Sequence, residues 1–334
     1  MSVLVLGGAG YVGSHAVYQL IDQQKEVVVI DNLQTGHIGA LHPQATFYEG
    51  DIRDQTFLRS VFERESIDAV MHFAASSLVG ESMEKPLTYY DNNLYGTQVL
   101  LQVMTEFHVP KIVFSSTAAT YGEPTSVPIT EEMATEPTSP YGETKLAMEK
   151  MMKWCEQAHG INYVSLRYFN VAGARESGEI GEDHQPETHL IPIILQTALG
   201  QRPSISIYGD DYDTPDGTCI RDYIHVEDLI AAHLLALDYL EEQEESNIFN
   251  LGSNQGFSVK EMIETAKTIT NREIPVQIGD RRAGDPSVLI ASSDKAKKIL
   301  GWNPTRTSIT KLMEDAWNWH VHHPHGYEKD VDAT

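Results

Sequence analysis

Cysteine is nearly missing from this chain. Only Cys155 and Cys219 occur in 334 residues, far apart and in no C-x-x-C pair, which excludes a disulfide framework and a thiolate zinc site. Basic residues are scarce as well. Twenty-four Lys and Arg stand against 48 Asp and Glu, a formal net charge of -24, and such a surface repels nucleic acid phosphates and anionic membranes. No run of about 18 apolar residues is present, and the N-terminus MSVLVLGGAG has neither the basic lead nor the apolar length of a signal peptide. A soluble, cytoplasmic protein with no nucleic acid or membrane partner is expected. Hydrophobic residues make up 41% of the chain, enough to bury the core of one large domain or two. The tail HVHHPHG, from His320 to Gly326, gathers four histidines near a terminus, where they are expected to stay solvated; no metal site is expected.

What the chain does have begins with Val3 to Leu6, a short buried strand. Gly7, Gly10 and Gly13 follow it, and SHAVYQLIDQQ then carries helical periodicity. Strand, glycine turn and helix in that order let the backbone approach a pyrophosphate and present the free N–H groups of a helix N-terminus to it. The spacing is G-x-x-G-x-x-G, one step off the commonest dinucleotide fingerprint. VVVIDN reads as the next strand, with Asp31 at its end, 18 residues beyond Gly13. An acid there accepts from an adenosine ribose and repels a 2′-phosphate, which favours NAD over NADP; otherwise Asp31 is a turn residue before Asn32.

Strands and helices keep alternating. FYEGDIRD, a helix near Thr56 to Glu65, and a strand from Ala69 in AVMHFAA predict an α/β fold, a Rossmann-type doubly wound parallel sheet with helices on both faces. A helical stretch from Thr88 to Phe107 contains Asp91, Asn92 and Asn93, poor residues for a helix interior, and three in succession cannot share one helix face, so a polar role is expected. YVSLRYFNVAGA reads as a sixth strand with Asn170 at its carboxyl end, where open α/β sheets bind ligands. Beyond it, short strands, acidic loops and helices such as Leu190 to Leu199 and Val226 to Tyr239 predict a smaller C-terminal α/β substrate lobe. In a chain this acidic, Arg221 and Arg282, set in GDDYDTPDGTCIRDY and GDRRAGD, are placed for a phosphate or form local pairs with neighbours such as Asp222 and Asp285.

Between Lys111 and Lys145 the chain sets hydroxyls beside a Tyr/Lys pair. KIVFSSTAATYG ends a strand on Ser115, Ser116 and Thr117, and SPYGETKLAMEK starts a helix carrying Tyr141 and, one turn later, Lys145. Residues four apart share a helix face, so the ammonium can sit near the phenol and stabilise its anion. A free tyrosine titrates near 10, leaving about one in a thousand ionised at neutral pH. Tuning its pKa is therefore part of making it a base.

Taken together, the glycine triplet, Asp31, SSTAATYG, YGETK and RYFNVAG resemble the extended short-chain dehydrogenase/reductase family. DDYDTPDGT, RDYIHVEDL, FNLGSNQGFSV and DRRAGDP carry a further resemblance to that family's sugar-nucleotide epimerases over almost the whole chain. The resemblance implies a homodimeric enzyme with tightly held NAD that interconverts UDP-galactose and UDP-glucose. It implies an NAD-binding domain over residues 1–169, rejoined by a segment near 222–251, and a UDP-sugar-binding lobe over residues 170–334. Tyr141 would take the proton from the sugar 4-hydroxyl, Lys145 would lower its pKa and bond the nicotinamide ribose, and Thr117 stands where the family usually has a catalytic Ser. Gly7, Gly10, Tyr11, Val12, Gly13, Asp31, Asn32, Asp51, Ile52, Phe73, Asn92, Ser115, Tyr141, Lys145 and Tyr168 would line the NAD site. Thr117, Tyr141, Asn170, Leu190, Tyr208, Arg221, Arg282, Asp285 and Leu289 would hold the UDP-sugar. Two departures stand out: Ser77 replaces a common Lys, and Leu289 replaces the bulky Tyr or small Cys or Ser that bounds the sugar pocket in relatives.

Inverting a carbon that bears only hydroxyl and hydrogen requires removal of hydride and its return to the other face, chemistry that NAD carries. Related 4,6-dehydratases have Thr-Asp-Glu after the serines, because eliminating water needs a second acid/base pair. Here the run is Thr117-Ala118-Ala119, which leaves no such pair and also argues against decarboxylases. Activity on UDP-N-acetylhexosamines stays open through Leu289, and a non-catalytic NAD-binding regulator on the same fold is the alternative from another class.

Overall fold

The computed structural model describes residues 1–282 and 286–327. Its centre is a seven-stranded, wholly parallel sheet made of β1 (Ser2–Leu6), β2 (Glu26–Asp31), β3 (Thr46–Glu49), β4 (Ala69–His72), β5 (Lys111–Ser115), β6 (Asn162–Arg167) and β7 (Asn247–Asn250), in the order β7-β6-β5-β4-β1-β2-β3. The apolar runs are continuous because both faces are covered. Val3, Val5, Val27 and Val29 join the core under the helices Tyr11–Asp22 and Val226–Gln243, while Leu4, Leu6, Val28 and Ile30 join the core on the opposite face with Leu58, Leu100 and Met148. That alternation is the two-residue period of a strand.

The order of the strands reverses between β1 and β4, and such a switch point opens a crevice at the carboxyl ends of the two strands. A second lobe is built from the helices Leu190–Ala198, Val259–Thr270 and Ile309–His322 around Ile194, Met262 and Leu312, with a small parallel sheet of Ile205–Tyr208 and Val276–Gly279. Its chain is interrupted by a return to the large sheet: the helix Val226–Gln243 packs there, and β7 adds to the edge beside β6. Among the described residues, no helix is long and apolar enough to cross a membrane.

The structure departs from the sequence reading in three places. The helix over residues 88–107 is broken by a π-helical turn, Tyr90–Tyr95, between Pro86–Tyr89 and Gly96–Glu106. The wider turn sends the three polar residues in different directions. Asp91 reaches out to Arg53 at 2.6 Å, while buried Asn93 accepts from Ser76 N at 2.8 Å and donates to Ser76 O at 3.0 Å and Thr144 Oγ1 at 3.1 Å. The sixth strand ends at Arg167, and Asn170–Ala172 pairs instead with Tyr223–His225. The histidine tail is only partly left to solvent: His322 and His325 are exposed, whereas His320 is buried and His323 stacks on Trp319 with ring centroids 3.8 Å apart.

One buried network ties the helix Pro140–His159 to the sheet. Glu149 accepts from Arg167 Nε at 3.0 Å and Nη2 at 2.5 Å, and from Ser116 Oγ at 2.5 Å. Arg167 Nη1 donates to Tyr121 at 2.9 Å, and Tyr121 donates to Asn250 Oδ1 at 2.7 Å. Both charges are almost fully buried, 3% and 4% exposed, so each depends on the other. Removing one partner of such a pair costs about 3–5 kcal/mol, whereas replacing both by apolar side chains of similar volume is far milder. Arg167→Met is therefore expected to lower the urea midpoint strongly, and Arg167→Met with Glu149→Leu to recover much of it; equal midpoints for the single and double variants would contradict the pairing.

Candidate active site at the carboxyl ends of the sheet

The glycine turn sits in the crevice between β1 and β4. Gly7 has a φ of +78°, and a Cβ there would lie 2.7 Å from Ala74 N; a Cβ on Gly13 would lie 2.1 Å from the Gly7 carbonyl oxygen. Backbone therefore fills the space that side chains take elsewhere. Gly10 caps the helix Tyr11–Asp22 without a side chain, so the first N–H groups of the helix keep no side-chain partner from the cap. Behind it, the Tyr11 hydroxyl donates to Gly173 O at 2.7 Å, and Val12 packs on the first core.

Asp31, 8% exposed, accepts from Ala9 N at 3.0 Å on one oxygen and Leu33 N at 2.9 Å on the other. It is thus a turn residue and an anchor of the glycine loop at once. Each carboxylate oxygen keeps a second lone pair. Burial pushes its carboxyl above the usual range, and the two amides oppose that. Asn32 donates to Asp51 at 3.2 Å. Asp51 is gripped by Arg53 Nε at 2.9 Å and Nη2 at 2.7 Å, which holds it down at about 2. Ile52 is buried against Gly96. Phe73 follows β4, its ring 4.9 Å from that of His233, and Asn92 donates to Ser76 Oγ at 3.3 Å. A cradle that Cβ atoms would fill, a free helix N-terminus and an acid at the end of β2 fit a dinucleotide.

The reactive side chains gather where β5 meets the helix Pro140–His159. Ser139 caps that helix and Pro140 opens it, so Tyr141 and Lys145 stand on its first turns. The start of the helix presses on the turn after β5: a Cβ on Gly142 would lie 2.6 Å from Ala119 O. Tyr141 is half-buried, and burial pushes its phenol up to about 12, with the Thr117 hydroxyl beside it pulling down. Lys145 is 3% exposed; its Nζ donates to Ser115 O at 2.8 Å and lies 4.8 Å from the centre of the Phe114 ring. Burial lowers it to about 7, against the pull of Glu149.

The depressed phenol expected from Lys145 is therefore not what the chain alone produces. Burial works against the charge on Lys145 as well, and only Glu149 opposes it. Thr117 Oγ1 also accepts from Ala119 N at 3.1 Å. The Ser115 hydroxyl forms a short hydrogen bond with the Tyr168 hydroxyl, which brings two of the predicted cofactor residues together.

The predicted substrate residues come from the second lobe and its joints. Asn170 Nδ2 donates to Asp222 O at 3.3 Å, and Leu190 opens the helix Leu190–Ala198. Arg221 lies in a three-stranded sheet between Phe257 and Leu289, and Leu289 packs beside Ala118 and Tyr121 of the catalytic turn. Arg282 stacks over the exposed Tyr208 ring at 4.0 Å, while its neighbour Arg281 takes the local acidic partner, Asp211, at 2.6 Å. Asp222 is turned to Ser253 and Ala291. Asp285 lies outside the described residues.

Several residues at the site escaped the sequence reading. Glu149, Arg167 and Asn250 hold the helix carrying Tyr141 and Lys145 and the neighbouring strand ends, while Asn93, expected to have a polar role, ties Ser76 to Thr144 beneath it. A signal for Glu149 was present, because it stands four residues beyond Lys145 and eight beyond Tyr141, on one helix face.

The chain belongs to the NAD dependent epimerase/dehydratase family, whose model matches residues 3–252. A curated relative, the UDP-glucose 4-epimerase of Halalkalibacterium halodurans, is 59% identical over 99% of this chain and 98% of its own. A solved structure of a UDP-glucose 4-epimerase superposes with a TM-score of 0.97 at 61% identity, covering 98% of this chain and all of the other. The Brucella ovis UDP-glucose 4-epimerase, solved in complex with NAD, superposes with a TM-score of 0.93 at 46% identity over 95% of this chain and 97% of its own.

The glycine geometry separates two substitutions. Gly10→Ala places its Cβ 3.4 Å from the nearest atom, an ordinary contact, whereas Gly13→Ala drives a Cβ into the Gly7 carbonyl. Gly10→Ala should leave the melting temperature near that of the parent. Gly13→Ala should lower it and weaken NAD, titrated into chain stripped of nucleotide, by at least about tenfold, equivalent to 1.4 kcal/mol; equal behaviour of the two variants would refute the cradle.

Proposed function

We propose that this chain interconverts UDP-galactose and UDP-glucose, with NAD held at the β1/β4 crevice. One observation carries the reading: Tyr141 and Lys145 stand one turn apart on the same helix with the Thr117 hydroxyl beside Tyr141, and the next two side chains of the turn, Ala118 and Ala119, have no proton to move. When bound, NAD supplies a reversible hydride acceptor for the sugar carbon. Tyr141 takes the proton from the 4-hydroxyl, Thr117 relays it, and Lys145, held by Ser115 O, would bond the nicotinamide ribose and favour the phenolate one turn away. With only one acid/base system at the turn, a 4-keto sugar has no route to water loss and can only be reduced again.

Returning hydride to the other face requires the sugar to turn over while the nucleotide stays fixed. Binding energy then belongs in the nucleotide part. Arg221, and Arg282 braced on Tyr208, suit the diphosphate and an adjoining planar ring, and Asn170, Leu190 and Asp285 complete the residues assigned to the UDP-sugar. Gly7, Gly10, Tyr11, Val12, Gly13, Asp31, Asn32, Asp51, Ile52, Phe73, Asn92, Ser115 and Tyr168 line the NAD side. The division of labour follows: residues 1–169 with the 222–251 return hold NAD, and the lobe within 170–334 holds the UDP-sugar. The enzyme works as a cytoplasmic homodimer. Leu289, half-buried against the catalytic turn, bounds the sugar pocket and sets its tolerance of N-acetyl groups.

Tyr141→Phe is expected to keep NAD and the fold but lose about 10²–10⁴ in turnover, the usual worth of a positioned base. Proton NMR of the anomeric signals, with UDP-galactose and separately UDP-N-acetylgalactosamine, reads both activity and substrate range. Unchanged turnover in the variant would remove Tyr141 from the reaction. No conversion of either sugar by the parent with NAD supplied would overturn the function.

A further inference from the structure

The segment from Gly181 to His189 belongs to neither the hydroxyl/Tyr/Lys cluster nor the arginine loops. It runs E-x-H-x-x-E-x-H, and Glu182, His184, Glu187 and His189 each turn one ligand atom to a common point, all four atoms lying within 4.8 Å of one another. Glu182 and Glu187 are 5% and 9% exposed. The cations at ion-pair distance from their carboxylates are these same imidazoles. His189 Nδ1 lies 2.7 Å from Glu182 Oε1 and 3.5 Å from Glu187 Oε1; His184 Nδ1 lies 3.1 Å from Glu182 Oε1 and 3.9 Å from Glu187 Oε2. His189 Nδ1 is buried without an aligned hydrogen bond despite that closeness. His184 Nδ1 hydrogen-bonds Glu182 Oε1, and Glu187 Oε1 accepts from the backbone N–H groups of Thr188 and His189 at 2.8 Å each, which holds the carboxylates in place.

We propose that Glu182, His184, Glu187 and His189 bind one divalent metal ion of the zinc type. Two neutral imidazoles and two carboxylates leave a charge of minus two, which a divalent ion cancels in place of two imidazole protons. Mixed N and O donors on a four-coordinate set suit Zn²⁺, and the affinity order of divalent metals puts it above Mn²⁺ and Fe²⁺. Bonds of about 2.0–2.2 Å require ligand atoms roughly 3.3–3.6 Å apart, within the spread already present. An ion has a way in, because a cavity of about 530 Å³ opens beside the cluster, bordered also by His320, His323 and His325.

The anchorage of the segment gives the metal its work. Trp319 Nε1 donates to Glu182 O at 3.2 Å, Tyr327 N donates to Asp183 Oδ2 at 3.0 Å, and His37, in the loop after β2, meets Asp183 O at 2.8 Å. The helix bearing Leu190 starts directly after His189. A metal there fastens the C-terminal helix and the loop after β2 to one short segment; it takes no part in hydride or proton transfer.

The test uses full-length, untagged protein, stripped with a chelator and titrated with Zn²⁺ by calorimetry in two buffers of different ionisation enthalpy. The expected result is one equivalent per chain, bound tighter than about 1 μM, with proton release and a rise in melting temperature. His184→Ala with His189→Ala should hold less than about a tenth of an equivalent, and Glu182→Gln should weaken binding about 100-fold or more. His322→Ala, on the exposed end of the last helix, should keep the full equivalent. Anomalous diffraction at the zinc edge of the parent places the ion without any variant. No saturable uptake, uptake that survives loss of both histidines, or an anomalous peak away from the four side chains would each overturn the proposal.

Discussion

The ion pair between Glu149 and Arg167 is the contact on which the active site rests. Two nearly fully buried charges tolerate each other's company and nothing less, so their bidentate geometry fixes the helix carrying Tyr141 and Lys145 against the end of β6. The same carboxylate takes the Ser116 hydroxyl, and the same guanidinium holds Tyr121, which reaches Asn250 at the sheet edge. Strand ends β5, β6 and β7 and the catalytic helix are thereby set relative to one another by side chains rather than by backbone pairing alone. Positioning at this scale is what a proton transfer needs.

Against that frame, the pKa values of the two reactive groups make sense as a pair. Burial raises Tyr141 and lowers Lys145, so the protein by itself holds both groups nearer their neutral forms. Readiness then depends on what else is bound, and a positive charge introduced close to the phenol would work on it with little screening from water.

Much of the fold was legible because its signals are local. Val3 to Leu6, the glycine turn and the Asp31 strand each declare themselves within a dozen residues, and parallel strands buried on both faces read as unbroken apolar runs. The Tyr141/Lys145 pair was legible for the same reason. What stayed hidden needed distance. Glu149 and Arg167 are 18 residues apart on different elements, and nothing in either segment announces the partner. Asn93 was legible as a polar residue with a role, but the π turn that accommodates it has no sequence signature of its own. Arg281 and Arg282 are adjacent, and only the geometry tells that Arg281 takes Asp211 and lies over Tyr212 while Arg282 lies over Tyr208. Two of the tail histidines misled by their position, since His320 is buried and His323 stacks on Trp319, while His322 and His325 stay exposed.

The late arrival of β7 sets the order in which a ribosome can deliver this protein. Residues 1–167 contain six of the seven strands, but β6 remains an open edge, with unpaired amides and carbonyls, until Asn247–Asn250 has been made. Only part of the second lobe, the helix Leu190–Ala198 and the strand Ile205–Tyr208, is made before the first is closed; its other two helices and its second strand follow residue 250. Assembly of the two halves is therefore interleaved, and a nascent chain that stalls before residue 250 presents a sticky strand where the finished enzyme has a sealed one.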